Sequence, residues 1–184
     1  MKRSALCLAL LLCAAMLAGC GYRAGFLLPA DVKSIHIQVS ENEAYWREAK
    51  KLDNIDSETP QGPLPAYTME SDLTDILKDE LLRSTPLHIL DEDRADSVLK
   101  ATITAVEPRV LWRDSEDNVL SERVEIKVSF TWKDRRTGRV LASATGLSRP
   151  TDFVVQRGET FTMASRRSFE FVARQIVEKM QEGF

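Results

Sequence analysis

Thiols are few in this chain, histidines fewer, and glycine-rich loops absent. Its 184 residues include three cysteines, two histidines and eight glycines. The cysteines, Cys7, Cys13 and Cys20, all fall at the N-terminal end. Everything after Cys20 therefore lacks disulfides, thiolate nucleophiles and cysteine metal ligands. His36 and His88 stand apart in alternating stretches and read as solvated or satisfied strand residues. No His-Glu-x-x-His pair, phosphate-cradling glycine loop or Gly-x-Ser-x-Gly elbow is present. The acidic clusters Asp91–Asp93 and Asp114–Asp117 fall in turn-like segments and lack the converging ligands a cation needs. The expectation is no catalytic residue, no metal and no cofactor. A lysine-rich run is missing too, and the net charge is −3, so nucleic acid is not an expected partner.

The N-terminus is where the sequence is most specific. Lys2 and Arg3 precede an uncharged apolar run, Ser4–Ala18. At ~1.5 Å per residue that run reaches roughly 22 Å, short of the ~30 Å hydrocarbon core. A basic head, a short apolar segment and small residues describe a secretory signal rather than a spanning helix. Leu17-Ala18-Gly19-Cys20 matches the bacterial lipobox, in which cleavage precedes the cysteine and the cysteine carries the lipid. The expectation is a signal peptide over 1–19, a lipidated tether over 20–31 and membrane attachment through Cys20. Removing Lys2 and Arg3 takes the net charge from −3 to −5. One acyl chain binds a bilayer only marginally, whereas the several chains of such lipoproteins anchor permanently. Gly21, where aspartate would signal retention at the inner membrane, points by analogy to the outer membrane.

Residues 32–184 read as one domain, hydrophobic enough, at 43% for the whole chain, to bury a core. Lys33–Val39 alternates as a half-buried strand. Residues 40–66 are polar, end in three closely spaced prolines and read as a loop or insertion with one helical turn around Ala44–Lys51. Thr68 is placed to cap a helix whose apolar stripe is Met69, Leu73, Ile76, Leu77 and Leu81, and which Pro86 ends. Leu87–Leu90 and Val98–Val106 follow as strands, the latter with Leu99, Ala101, Ile103 and Ala105 on one face. Pro108–Asn118 reads as a loop. Val124, Ile126, Val128, Phe130 and Trp132 make one dry strand face. Asp134–Gly138 is a tight turn with Gly138 at positive φ. Val140–Gly146 returns, a loop runs through Gly158, and Phe169, Val172, Ala173, Ile176, Val177 and Met180 trace a second helix. The expected fold is α+β: a two-layer sandwich with two amphipathic helices on one face of a mostly antiparallel, four- to five-stranded sheet.

Strand directions add a functional expectation. If Val98–Val106 runs upward, the connection after it and the loop before the last helix share the upper end. Arg109, Trp112, Arg113, Arg149 and Arg157 would then form an aromatic-bearing basic rim, suited to anionic groups such as phosphates. The alternative is a set of scattered, solvated charges.

The chain resembles the lipopolysaccharide-assembly lipoproteins, the LptE-like family. The resemblance rests on "CGYRAG" at the lipobox, "LPADVKSIHIQV", "DELLRSTPLHILDEDRADSVLKATITAV", the "ERVEIKVSFTWKDRRTGRVL" hairpin and the C-terminal helix. It implies an outer-membrane lipoprotein on the periplasmic side that plugs and helps assemble an LptD-type β-barrel and contacts lipopolysaccharide. By position it implies lipid-contacting roles for Arg113, in "VLWRDSEDNVLSER", and Arg157, in "VVQRGETFTM"; Arg109, Trp112 and Arg149 join them by proximity. Residues 40–66 are longer and more polar than the family's pattern implies. A periplasmic lipoprotein that activates a peptidoglycan synthase is the alternative. It needs a long stalk, and the short tether favours a partner at the same membrane.

Overall fold

The computed structural model describes residue 29, residues 31–41 and residues 66–182. The signal peptide, Cys20, most of the tether and nearly all of the polar stretch 40–66 lie outside the described residues.

The elements are β1 (Ser34–Glu41), α1 (Ala66–Ser84), β2 (His88–Ile89), β3 (Ser97–Arg113), β4 (Val119–Asp134), β5 (Val140–Leu147), β6 (Thr151–Val154), a 3-10 turn (Val155–Arg157) and α2 (Phe161–Glu182). The sheet runs β2-β1-β3-β4-β5, with β6 also on β4. β5 and β6 continue one another as a broken edge strand: Leu147 lies opposite Val128 and Thr151 opposite Val124.

Both helices cover one face. The expected stripe of α1 is buried, Leu73, Leu77 and Leu81 completely, as is the stripe of α2 from Phe169 to Met180. They rest on Ile35, Leu99, Ala101, Ile103, Val124, Ile126, Val128, Phe130 and Trp132. Burial of this continuous apolar layer is the main force holding the fold, at ~25 cal/mol per Å² removed from water. The two-layer α+β architecture is therefore as the alternation implied.

Five details differ from the sequence reading, each for a physical reason. The sheet is mixed, because β1 reaches β2 through a crossover helix and pairs parallel with both β2 and β3. Among the described residues it has six strands, the sixth being β6, inside the expected loop. α1 begins at Ala66, so Thr68 lies within its first turn rather than capping it. A bulge between Ile103 and Ala105 breaks the alternation, so Val106, not Ala105, is buried. Finally, β3 continues through Pro108 to Arg113. β1 stops pairing at Ile103, so β3 beyond that point is an edge among the described strands. Proline, lacking an N–H, is tolerated there.

These directions give the body two poles. Asp31, the β2–β3 turn and the β4–β5 turn lie at one. The β3–β4 tip and the 3-10 turn lie at the other. The 17 residues of β3, at ~3.3 Å each, put these poles roughly 50 Å apart.

Candidate functional site

Residues 114–118 join β3 to β4 at the hairpin pole. The Asp114 carboxylate organises them, accepting the N–H groups of Glu116 and Asn118, both at 2.9 Å, and the Asn118 side-chain amide at 3.0 Å. Those bonds, the Asn118 amide's first, hold the Asp114 carboxyl below the ordinary carboxylate range. Asp117 sits in the left-handed region at φ 67°, which aspartate tolerates. The Arg113 guanidinium donates to the Asp117 carbonyl at 2.9 Å and lies 3.5 Å from its carboxylate. Arg113 thus frames the tip, in company with Asp114, Glu116 and Asp117. The acidic run does the turn-forming work expected of it.

Trp112 is 71% exposed and lies opposite Ser121, which on its other side pairs with Val154. That row leads into the 3-10 turn carrying Val155 and Arg157. Arg157 is exposed and makes no hydrogen bond or ion pair among the described residues. Arg109 is likewise exposed and unpaired; it lies opposite Arg123, whose charge is met by Asp152 at 2.6 and 3.0 Å. Arg109, Trp112, Arg113 and Arg157 therefore share one pole. Arg149 does not join them. It lies between β5 and β6, level with the middle of β4, with its guanidinium 4.8 Å from the centre of the Phe171 ring on α2. A cation over an aromatic face is attracted by the ring's quadrupole.

A clamp that the sequence reading missed holds Arg157 in place. Gly158 takes φ +74°, and its N–H donates to the Val155 carbonyl at 2.9 Å. The Glu159 carboxylate accepts the Val154 N–H at 2.7 Å and an Arg167 N–H at 3.2 Å. Arg167 also donates to the Asp152 carbonyl at 3.2 Å. The Val154 bond first, then Arg167, holds the Glu159 carboxyl below its ordinary value. The loop bearing Arg157 is tied to β6 on one side and α2 on the other. Glu159→Ala is expected to accelerate hydrogen exchange at the Val154 amide while the α2 amides keep their protection. Unchanged Val154 protection would contradict the clamp.

The sheet face away from the helices is polar, and several of its charges are paired. Lys127 pairs with Glu107 at 2.6 Å, Arg123 with Asp152, and Ser148 donates to Glu125 at 2.8 Å. The Glu107 and Asp152 bonds raise Lys127 and Arg123 above their usual values, and Arg123 in turn lowers Asp152. Only the sequence positions of Arg123 and Lys127 on a wet face were foreseeable; their partners depend on β6 and on the extended β3. His36, on the same face, donates from Nδ1 to the Leu90 carbonyl at 3.2 Å and is a satisfied strand histidine. Among the described residues no group of histidine and carboxylate side chains is arranged to hold a metal ion, and no helix is long and apolar enough to cross a membrane.

A family model described as "LptE: Lipopolysaccharide-assembly" matches residues 32–180. Similar solved structures include a minor lipoprotein from Acinetobacter baumannii, 14% identical, covering 82% of this chain and 94% of that one at TM-score 0.46. Lipoprotein B from Nitrosomonas europaea is 12% identical, with 85% and 90% of the two chains covered at TM-score 0.48. The rare lipoprotein B from Shewanella oneidensis is 15% identical, with 80% and 91% covered at TM-score 0.36. Comparison with curated protein sequences gives no match.

Proposed function

The chain belongs to the LptE lipopolysaccharide-assembly family, and from that premise we propose that it is an outer-membrane lipoprotein, lipidated at Cys20, that works as a non-enzymatic plug and assembly partner. Its partner is an LptD-type outer-membrane β-barrel, and it binds lipopolysaccharide on the way to the cell surface. The observation that carries this reading is the family match, which spans nearly the whole domain from Val32 to Met180.

Two physical features support it. The sheet face away from the helices is polar, and the pairs Lys127–Glu107 and Arg123–Asp152 meet part of its charge, which suits the polar interior of an outer-membrane barrel. The hairpin pole offers the mixture an acylated, phosphorylated glycolipid requires. Arg109 and Arg157 are open cations for phosphates, Arg113 keeps part of its donor fork, and Trp112 supplies apolar surface. Arg149, held over Phe171 at mid-body, stands apart from this set.

Two measurements test the reading. Affinity purification of the lipidated chain from its own membranes is expected to retain a large outer-membrane barrel; recovery without one overturns the partnership. Lipopolysaccharide binding in low salt is expected to weaken about tenfold in Arg113→Asp/Arg157→Asp, since exposed ionic contacts contribute under ~1 kcal/mol each. Arg157→Gln alone leaves the hairpin tip untouched and adds no like charge beside Glu159, so it separates ligand contact from damage to the tip. Unaltered binding in both variants would remove these arginines from the site.

A further inference from the structure

The pole where the described chain begins differs from the hairpin pole. Asp31 lies 4.0 Å from Arg136, and together with Ala95, Asp96, Asp134 and Arg135 they line a cleft of about 340 Å³. The β4–β5 turn here is rigid. The Asp134 carboxylate accepts the Thr137 N–H at 2.7 Å, and the Gly138 N–H, at φ +71°, donates to the Asp134 carbonyl at 2.9 Å. The Arg135 amide donates to the Asp96 carbonyl at 2.9 Å, and its guanidinium is spent on the Asp93 carbonyl.

What this rigid turn presents outward is cationic. The Arg136 side chain is 77% exposed, and its contact with the equally exposed Asp31 is marginal at 4.0 Å. Arg139 and Lys133 are exposed and make no ion pair among the described residues. The exposed acids Asp91, Glu92 and Asp93 lie in the β2–β3 turn, with Arg94 among them and exposed Lys33 at the start of β1 beside them. Lys133, Arg136 and Arg139 cluster instead around the β4–β5 turn.

We propose that, before the body is seated in a barrel, Lys133, Arg136 and Arg139 contact anionic phospholipid headgroups of the leaflet that holds the Cys20 lipid, and so set the tilt of the body on the bilayer. This rests on the lipid attachment proposed above. The chain from Cys20 to Pro29 reaches at most roughly 30 Å, so this pole, and not the hairpin pole, is the one kept beside the membrane. An interfacial field acts on basic groups within about a Debye length. Phosphates close to the surface therefore engage the exposed cations of the β4–β5 turn.

Since acylated Cys20 leaves the mature chain without a free thiol, one introduced cysteine can be labelled alone. The full lipidated chain carrying Thr137→Cys, or Ser115→Cys at the far tip, is labelled with an environment-sensitive fluorophore. It is then floated with vesicles of phosphatidylcholine, with or without phosphatidylglycerol. Both vesicles are expected to capture the chain. The label at 137 is expected to shift to the blue only when phosphatidylglycerol is present, while the label at 115 stays unchanged. Free phosphate in solution is expected to give no shift, and Lys133→Gln/Arg136→Gln/Arg139→Gln is expected to abolish it, with an unchanged circular dichroism spectrum reporting an intact fold. A label at 137 that ignores phosphatidylglycerol, or a shift that survives the triple substitution, overturns the headgroup contact alone. A chain that floats with neither vesicle overturns the lipid attachment and this proposal with it.

Discussion

Trp132→Ala is expected to lower the unfolding free energy by about 3–5 kcal/mol, read as a fall in the urea midpoint. Trp132 is completely buried in β4, opposite Leu99 on β3 and Ala142 on β5, beneath the helices. Its indole N–H donates to Ser97 Oγ at 2.9 Å, and that hydroxyl donates to the Ser34 carbonyl at 2.8 Å. One side chain therefore fills the core and bonds β4 through β3 to β1. Alanine loses the apolar transfer energy, opens a cavity under α2 and leaves Ser97 without a donor. Trp132→Phe separates these effects, because it keeps most of the ring and loses the hydrogen bond, an expected cost of about 1 kcal/mol. A cost below about 1 kcal/mol for the alanine variant would mean that the helices do not press on this position as described.

The second large effect is expected at Asp96 and depends on acid. Its carboxylate accepts the amides of Lys33 and Ser34 at 3.1 and 3.0 Å and the Ser34 hydroxyl at 2.8 Å. The Asp96 amide returns a bond to that hydroxyl at 2.9 Å. The Ser34 bond first, then the Lys33 amide, holds the Asp96 carboxyl below its ordinary value. Asp96→Ala leaves the amide of buried Ser34 without an acceptor, and since the carboxylate is itself largely solvated the expected cost is about 1–2 kcal/mol. Asp152, held down chiefly by Arg123, and Glu159, held down chiefly by the Val154 amide, are shifted the same way. A carboxyl depressed on folding stabilises the native state fully above its unfolded value, near ~4, and that contribution is lost as pH falls through the folded value. Stability is therefore expected to be flat from about pH 5 to 7 and to fall below about pH 4. Asp96→Asn should fall less steeply in acid. An equal acid slope in the variant would show that Asp96 titrates normally in the folded chain.

The elements that were legible in advance share one property: their period was set by a single buried face. β4 alternates because every second residue meets the helices, and α2 repeats because one stripe meets the sheet. The misread elements depend on neighbours far away in sequence. Pro108 breaks a strand only where the missing N–H faces a partner, and β1 has already stopped at Ile103. Ala105 kept the alternation on paper, yet a bulge gave its place to Val106. β6 is four residues long, too short to show a period. The candidate site was read to the same depth. Strand direction alone placed Arg113 and Arg157 at one end, as found. Arg149 was misplaced because β5 and β6 both pair with β4 on either side of it, which holds it at mid-height. The Glu159–Arg167 clamp joins two loop-flanking charges that no local pattern marks.

β1 is locked to β3 in parallel from Ile35 opposite Ser97 to Glu41 opposite Ile103. Nothing in that register uses the length of chain running from Glu41 to Ala66. The entropy of closing a span of chain grows only logarithmically with its length, about 0.6 kcal/mol for each doubling. Changing the number of residues between Glu41 and Ala66 therefore leaves the pairing of β1 with β3, and the core beneath it, close to its present stability.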